Sequence, residues 1–331
     1  MAQMPIMTAD TPPHAGASTD FLLLRSYGPA NALARLQSDP LIDGLQQWQY
    51  RAVRIDLSPG KPVAVPRPKI VLVHHDDTEA IHKAHELRKR TRCRVFCLAS
   101  DIYDLDRYRT IAQVADGFLV PSALHREVLA PAVGIDVQVL HEAVDPIALP
   151  STGLPSAPSR NRDVLWFGYP ESFTKSLDPL LARACERAGF ETNRIHIITA
   201  PGQILLPGAV HHPFDHERFY VDSGHCSYAL LSHFALDLHV NTLIKSPNKL
   251  ITSLVRGLIP LASDTGNYRA LMNEYGLGQF LFGNAAELAH LLRNLDPDRD
   301  RDAREWQAIA TDLRHRFSPR AMAQRFLELV S

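Results

Sequence analysis

The stretch that decides the fold is residues 234–268, FALDLHVNTLIKSPNKLITSLVRGLIPLASDTGNY. Two short apolar runs, residues 235–238 and 258–262, suit buried strands. Between them Ser246 is a favoured helix cap, Pro247 suits the first helical position because it has no N–H to leave unpaired, and Gly257 supplies the stop. Leu250, Ile251, Leu254 and Val255 share one face of that helix, which marks it as a core face. Strand, helix and strand at this spacing give a right-handed parallel crossover, and open parallel sheets bind ligands at the carboxyl edge of their strands. Two helix mouths are expected at that edge. One holds Lys245, Ser246, Asn248 and Lys249, the other Asp264, Gly266, Asn267 and Tyr268. Free backbone N–H groups and the positive end of a helix favour an anion, and the two lysines make the first mouth a candidate phosphate site.

Upstream, the chain alternates strands and helices. Apolar runs at residues 21–26, 51–57, 69–73, 94–99, 117–120 and 137–140 predict strands, with helical patterns at 30–37, 40–50, 78–90, 106–115 and 122–130. The first strand leads into Tyr27 and Gly28, the third into His74, His75 and Asp76, and the fourth into a loop with Asp101. Residues 145–162 hold several prolines and serines without periodicity, which is linker composition. The expected organisation is a floppy leader at 1–19, an α/β domain at 20–145, a linker at 146–162, and a second α/β domain at 163–331. In the second domain, strands are expected at 163–167, 194–198 and 279–282 and helices at 176–188, 285–295, 301–316 and 319–329. Residues 215–233 read as helix, and 201–213 are poorly patterned. The terminal helices are free to pack back on the first domain.

Composition narrows the function. With 331 residues, 45% of them hydrophobic, the chain can build two real cores. A formal net charge of −1 with mixed signs argues against a nucleic-acid binder with a basic face. Cys93, Cys97, Cys185 and Cys226 form no CxxC pair and no disulfide framework, which fits a reducing compartment. The first residues lack a basic and apolar signal pattern, and FLLL at 21–24 is too short to span a membrane. A cytoplasmic protein is expected, with peripheral membrane contact or a homo-oligomer left open.

Three segments in this order resemble the GT-B class of glycosyltransferases, in particular glycosyltransferase family 4 and related groups. SPNKLITSLVRGLIPLASDTGNYRAL, from Ser246, is similar to the segment that contacts the donor diphosphate and nucleoside. ADGFLVPSALHREVLAPAVGIDVQVLHEAVDP, from Ala115, resembles the end of the N-terminal domain, and WFGYPESFTKSLDPLL, from Trp166, the opening of the donor domain. Family 4 enzymes commonly carry two glutamates eight residues apart here. Counted back from Gly257, those positions are Ile244 and Thr252, and a Ser-x-Asn-Lys opening is the closer match.

The resemblance implies two Rossmann-like domains with a cleft between them and a metal-independent transfer (EC 2.4, hexosyltransferase class). A sugar would pass from a nucleotide-diphosphate sugar to a glycan, lipid-linked or protein acceptor, with no cofactor. It places Lys249, Ser246, Asn248 and Lys245 at the diphosphate, joined by Lys175. Asp264, Gly266, Asn267 and Tyr268 are then expected at ribose, base or sugar hydroxyls. His74, His75, Asp76 and Asp101 face the acceptor as candidate catalytic groups, with Tyr27 and Gly28 near donor or acceptor. A non-catalytic GT-B subunit and a GT-B nucleotide-sugar epimerase are the alternatives.

Plainer readings stand beside these. Ser246 to Lys249 also describes an ordinary cap with solvated lysines, and Asp76 suits a helix cap. Asp104-Leu105-Asp106 matches a metal-binding Asp-x-Asp, a match frequent by chance and repeated near Asp296. His82, His85 and Glu86, and His211, His212 and His216, complete no zinc motif.

Overall fold

The computed structural model describes residues 18–29, 31–58, 66–102, 104–150, 160–233, 240–300 and 303–331. The N-terminal sheet comprises β1 (Ser18–Arg25), β2 (Ala52–Asp56), β3 (Arg67–His74), β4 (Arg94–Leu98), β5 (Gly117–Val120) and β6 (Asp136–Val139). Its helices are α1 (Asp39–Gln47), α2 (Thr78–Thr91), α3 (Leu105–Ala112) and α4 (Ala123–Val133). The six strands lie in the order β2-β1-β3-β4-β5-β6, and every pairing is parallel. Side chains alternate across such a sheet, so Leu22, Leu24, Val71 and Val73 pack one face, while Phe21, Leu23, Ile70 and Leu72 pack the other.

The C-terminal sheet comprises β7 (Val164–Phe167), β8 (Ile195–Thr199), β9 (Val210–Pro213), β10 (Tyr228–Leu231), β11 (Ile259–Ser263) and β12 (Leu281–Phe282). Its helices are α5 (Pro170–Ser176), α6 (Asp178–Ala188), α7 (Phe219–Ser223), α8 (Val240–Ile244), α9 (Asn248–Arg256), α10 (Gly266–Glu274), α11 (Ala285–Arg293), α12 (Pro297–Asp300), α13 (Ala303–Arg316) and α14 (Pro319–Val330). The strands are again all parallel, ordered β12-β11-β10-β7-β8-β9. In both sheets the order reverses once, between β1 and β3 and between β7 and β10. Chains leave such neighbours toward opposite faces of the sheet, which opens a crevice at their carboxyl ends.

The final helix belongs to the first core. Met322, Ala323, Phe326 and Val330 of α14 pack with Phe21, Leu41 and Phe96, and Trp48 Nε1 donates to the Arg320 carbonyl at 3.2 Å. A β-carbon at Gly44 of α1 would run into the carbonyl of Pro319, so only glycine admits this approach. Truncating Phe326 to alanine is expected to cost about 3–5 kcal/mol. Among the described residues no helix is long and apolar enough to cross a membrane.

Several expectations are corrected. Residues 215–233 are not one helix: they hold the short α7 and then β10, a central strand. The poorly patterned 201–213 ends in β9. The expected strand at 235–238 lies outside the described residues. Ser246 is not the cap of α9, since Pro247 takes that place without a side-chain bond and the helix begins at Asn248. Residues 34–38 form a π-helical turn, and Ser18 and Thr19 already belong to β1. Residues 1–17 and 151–159, most of the expected leader and part of the linker, lie outside the described residues. Of the linker that is described, Pro146–Ala148 is a 3₁₀ turn.

Candidate active site at two sheet switch points

In the C-terminal domain the switch point lies between the ends of β7 and β10. After Phe167 the chain turns through Gly168 at φ 151°, a conformation that favours glycine, and the Gly168 carbonyl accepts from Thr199 Oγ1 at 2.8 Å. Lys249, in the first turn of α9, holds its ammonium 5.3 Å from the Trp166 ring centroid and 5.6 Å from that of Phe167. A β-carbon at Gly168 would collide with its Nζ. Among the described residues no carboxylate pairs with this ammonium. Burial, and then the charge of Lys245, pulls its pKa down to about 8.

Three structural reasons put Lys249 there. The buried stripe of Leu250, Ile251, Leu254 and Val255 fixes the rotation of α9 on the sheet. Gly257 ends the helix at φ 87° and lets the chain enter β11. The face of Trp166, itself held edge-on by Phe173 with centroids 5.0 Å apart, receives the cation.

His233, just past β10, completes this corner and was not among the residues selected from the sequence. It is buried, stacks on Tyr268 with centroids 4.3 Å apart, and shares a 3.1 Å hydrogen bond between Nε2 and the Tyr268 hydroxyl. Burial, with Lys249 and Lys245 nearby, holds its pKa well below the usual value. The signal for it, a polar residue closing a strand, was hidden because β10 reads as helix.

Much of the second helix mouth is taken up by internal contacts. Tyr268 is fully buried, Asp264 pairs with Arg269 at 2.5 Å, and Asn267 Nδ2 donates to the Lys245 carbonyl at 2.8 Å. Gly266 sits against α4, where a β-carbon would lie 2.6 Å from Leu124 Cδ1. Lys175 is exposed in the last turn of α5.

In the N-terminal domain the switch point brings Tyr27, after β1, to His74, at the end of β3, with ring centroids 6.1 Å apart and nearly perpendicular. Burial raises the Tyr27 phenol to about 12. Gly28 is exposed. His74 and His75 are both buried, and His75 lies against the Tyr108 ring with centroids 5.2 Å apart. Asp76 is the exposed member: its Oδ1 lies 2.9 Å from His75 Nε2, which lowers the carboxyl pKa. Burial holds His74 well below the ordinary imidazole value. Asp77, not Asp76, caps α2, accepting from the Ala80 N–H at 3.0 Å. Behind this corner His125, on α4, is a second residue missed in the sequence. It is buried, neither ring nitrogen is hydrogen-bonded among the described residues, and burial pushes its pKa to about 4. The donor atoms of His74, His75 and Asp76 lie within 4.8 Å of one another, a set with the chemistry for a divalent cation.

The two edges face each other across several direct bonds. Lys245 pairs with Asp101 at 3.0 Å, the Ile102 N–H donates to Asn241 Oδ1 at 2.7 Å, and Ser122 Oγ donates to the Ile244 carbonyl at 3.0 Å. Asn248 is turned away from the α9 mouth: its Nδ2 donates to the Ala143 carbonyl at 2.9 Å and its Oδ1 accepts from Thr252 Oγ1 at 3.1 Å. Ile244 is buried in the N-terminal core and Thr252 is buried beneath Asn248. The two positions where family 4 commonly carries glutamate therefore point into packed protein.

No family model and no curated relative matches the sequence. Solved structures do match over nearly the whole chain. The Anabaena protein HepE in complex with UDP-glucose aligns with a TM-score of 0.64 at 14% identity, over 94% of this chain and 99% of that one. A DNA-modifying β-glucosyltransferase aligns at 0.56 and 11% identity, over 94% and 99%. An O-GlcNAc transferase of Thermobaculum terrenum aligns at 0.56 and 10% identity, over 99% of this chain and 69% of that one. Two all-parallel Rossmann-like domains facing each other, with the last helix returned to the first domain, give this chain the GT-B fold of those glycosyltransferases.

Proposed function

We propose that the chain is a metal-independent glycosyltransferase of the hexosyltransferase class, moving a sugar from a nucleoside-diphosphate sugar to a glycan, lipid-linked or protein acceptor. Lys249 carries this reading. A part-buried ammonium over two aromatic faces, without a carboxylate partner among the described residues, is a costly arrangement that an anionic ligand relieves. It stands at the switch point of a parallel sheet, beside the first turn of a helix, where diphosphates are held by backbone N–H groups. The HepE complex with UDP-glucose supports a uridine nucleotide as the first donor to try.

In the proposed reaction the acceptor oxygen attacks the anomeric carbon as the bond from that carbon to the diphosphate oxygen breaks. The bonding pair leaves on the diphosphate, and Lys249 and the opening of α9 stabilise the charge that develops there. The hydroxyl proton passes to Asp76, the solvent-reachable group of its corner, which His75 orients at 2.9 Å. His74, fully buried, supports this pair from behind. A reading without turnover, as a nucleotide-binding GT-B subunit, draws on the same burial of His74 and His75.

A thermal-shift screen of UDP, GDP, TDP and ADP sugars tests the donor site, followed by assay of sugar release or transfer with the stabilising compound. A nucleotide that raises the melting temperature and is turned over supports the enzyme. Stabilisation without turnover selects the binding subunit, and no stabilisation by any of them removes the donor site.

A further inference from the structure

Glu142 lies three residues past β6, where the N-terminal domain hands the chain to the linker, and is only 7% exposed. Gln37, at 4% exposure in the π-helical turn before α1, donates its Nε2 to Glu142 Oε1 at 2.9 Å. From the other domain Ser246 comes up beside the same carboxyl and acts to lower its pKa. Ser246 opens the loop that leads into α9, three residues before Lys249. The neighbouring backbone is bound as firmly: the Ala143 carbonyl accepts from Asn248 Nδ2 at 2.9 Å and its N–H donates to the Leu36 carbonyl at 2.8 Å. One short stretch thus holds both the turn before α1 and the turn before α9.

We propose that Glu142 is a positioning residue for the donor, fixing Ser246 against Gln37 and so setting where the opening of α9 and Lys249 meet the diphosphate. The inference rests on the donor site proposed above. Gln37 Oε1 gives it a chemical form. That oxygen is buried and has no hydrogen-bond partner among the described residues, and an orphaned buried acceptor is destabilising. A proton on Glu142 supplies the missing donor. Amide and carboxylic acid then form a cyclic pair: Gln37 Nε2–H to one carboxyl oxygen, and the carboxyl O–H to Gln37 Oε1. Burial raises the Glu142 pKa, in the direction this pair needs. The charged groups acting on it oppose one another, Asp101 raising it and Lys245 lowering it, and they are themselves paired at 3.0 Å.

The experiment compares the full chain with Glu142→Ala, Glu142→Gln, Ser246→Ala and the double variant Glu142→Ala/Ser246→Ala. UDP affinity is measured by calorimetry, and amide exchange at residues 247–252 is measured without ligand. Glu142→Ala is expected to weaken UDP about tenfold and to speed exchange at the start of α9. Glu142→Gln, which resembles the protonated acid, is expected to restore most of both. The double variant should be no weaker than Glu142→Ala alone, because the two residues act through one contact. Wild-type affinity that falls as pH rises through the raised Glu142 pKa, set against a flatter profile in Glu142→Gln, isolates the proton from the titration of Lys249. Unchanged exchange and affinity in Glu142→Ala overturn the inference, as does a Gln variant as weak as Ala. If the wild type binds none of the nucleoside diphosphates, the donor reading and this inference fall together. If it binds and only the variants behave as wild type, the inference alone is lost.

Discussion

The two switch points occupy equivalent places in two parallel sheets, yet they solve opposite electrostatic problems. At the C-terminal one a cation, Lys249, stands over aromatic rings without a carboxylate partner among the described residues. At the N-terminal one the charged groups have partners: Asp76 with His75, Asp101 with Lys245, and Arg107, whose Nε donates to the His75 carbonyl at 2.9 Å. An incomplete charge calls for a ligand of opposite sign, whereas paired groups orient one another around a reaction. The difference is the basis for proposing that one edge binds the leaving group and the other handles the acceptor proton.

The sharpest way to break this division is Lys249→Ala. If Lys249 stabilises the departing diphosphate, kcat/KM for the sugar nucleotide should fall about 10²–10³-fold, read in steady-state transfer assays. Asp76→Asn should act on the other half only: kcat falls about 10²-fold while UDP affinity by calorimetry stays within about twofold. An equal loss in affinity would join the two edges into one binding site. Gly168→Ala tests the close approach of β7 to Lys249. A methyl group there displaces the ammonium and strains the turn, so UDP affinity should drop about tenfold.

The smallest effect is in pH. Lys249 has a folded-state pKa of about 8 against 10.5 for a free lysine, so below pH 8 the folded protein bears the full cost of the buried charge. Between about 8 and 10.5 the unfolded chain holds more protons at this residue than the folded one. This group's contribution to unliganded stability therefore rises with pH over that window, while UDP affinity falls, about fivefold from pH 8 to pH 9. Melting curves and calorimetry across that range should show the opposite trends in the wild type and neither trend in Lys249→Met.

The sequence carried most of the scaffold because the strands are buried on both faces and read as continuous apolar runs. The runs at 69–73, 94–99 and 117–120 correspond to β3, β4 and β5, and the stripe on α9 is core. What failed was the run of short elements between residues 201 and 233. Tyr228–Leu231 is too short for periodicity to separate strand from helix, and its neighbours Phe219–Ser223 are helical, so a central strand was absorbed into a helix. Of the site, chemistry was legible and direction was not. Lys249 was expected at the diphosphate and does face the sheet edge, whereas Asn248, one position earlier, turns away and donates to the Ala143 carbonyl of the other domain at 2.9 Å. Asn267 and Tyr268 are polar and stand at a helix mouth, yet tertiary contacts with Lys245 and His233 take up their hydrogen bonds. His233, His125 and Glu142 went unselected because their significance comes from burial and from neighbours distant in sequence.

On the proposed reading a nucleoside diphosphate completes the charge of Lys249. That reading is tested most directly by titrating UDP into the wild type and into Lys249→Met at pH 7 and following the heat of binding. Saturable binding to the wild type, weakened at least about tenfold in Lys249→Met, is the expected result. Equal affinity in the two proteins would contradict it.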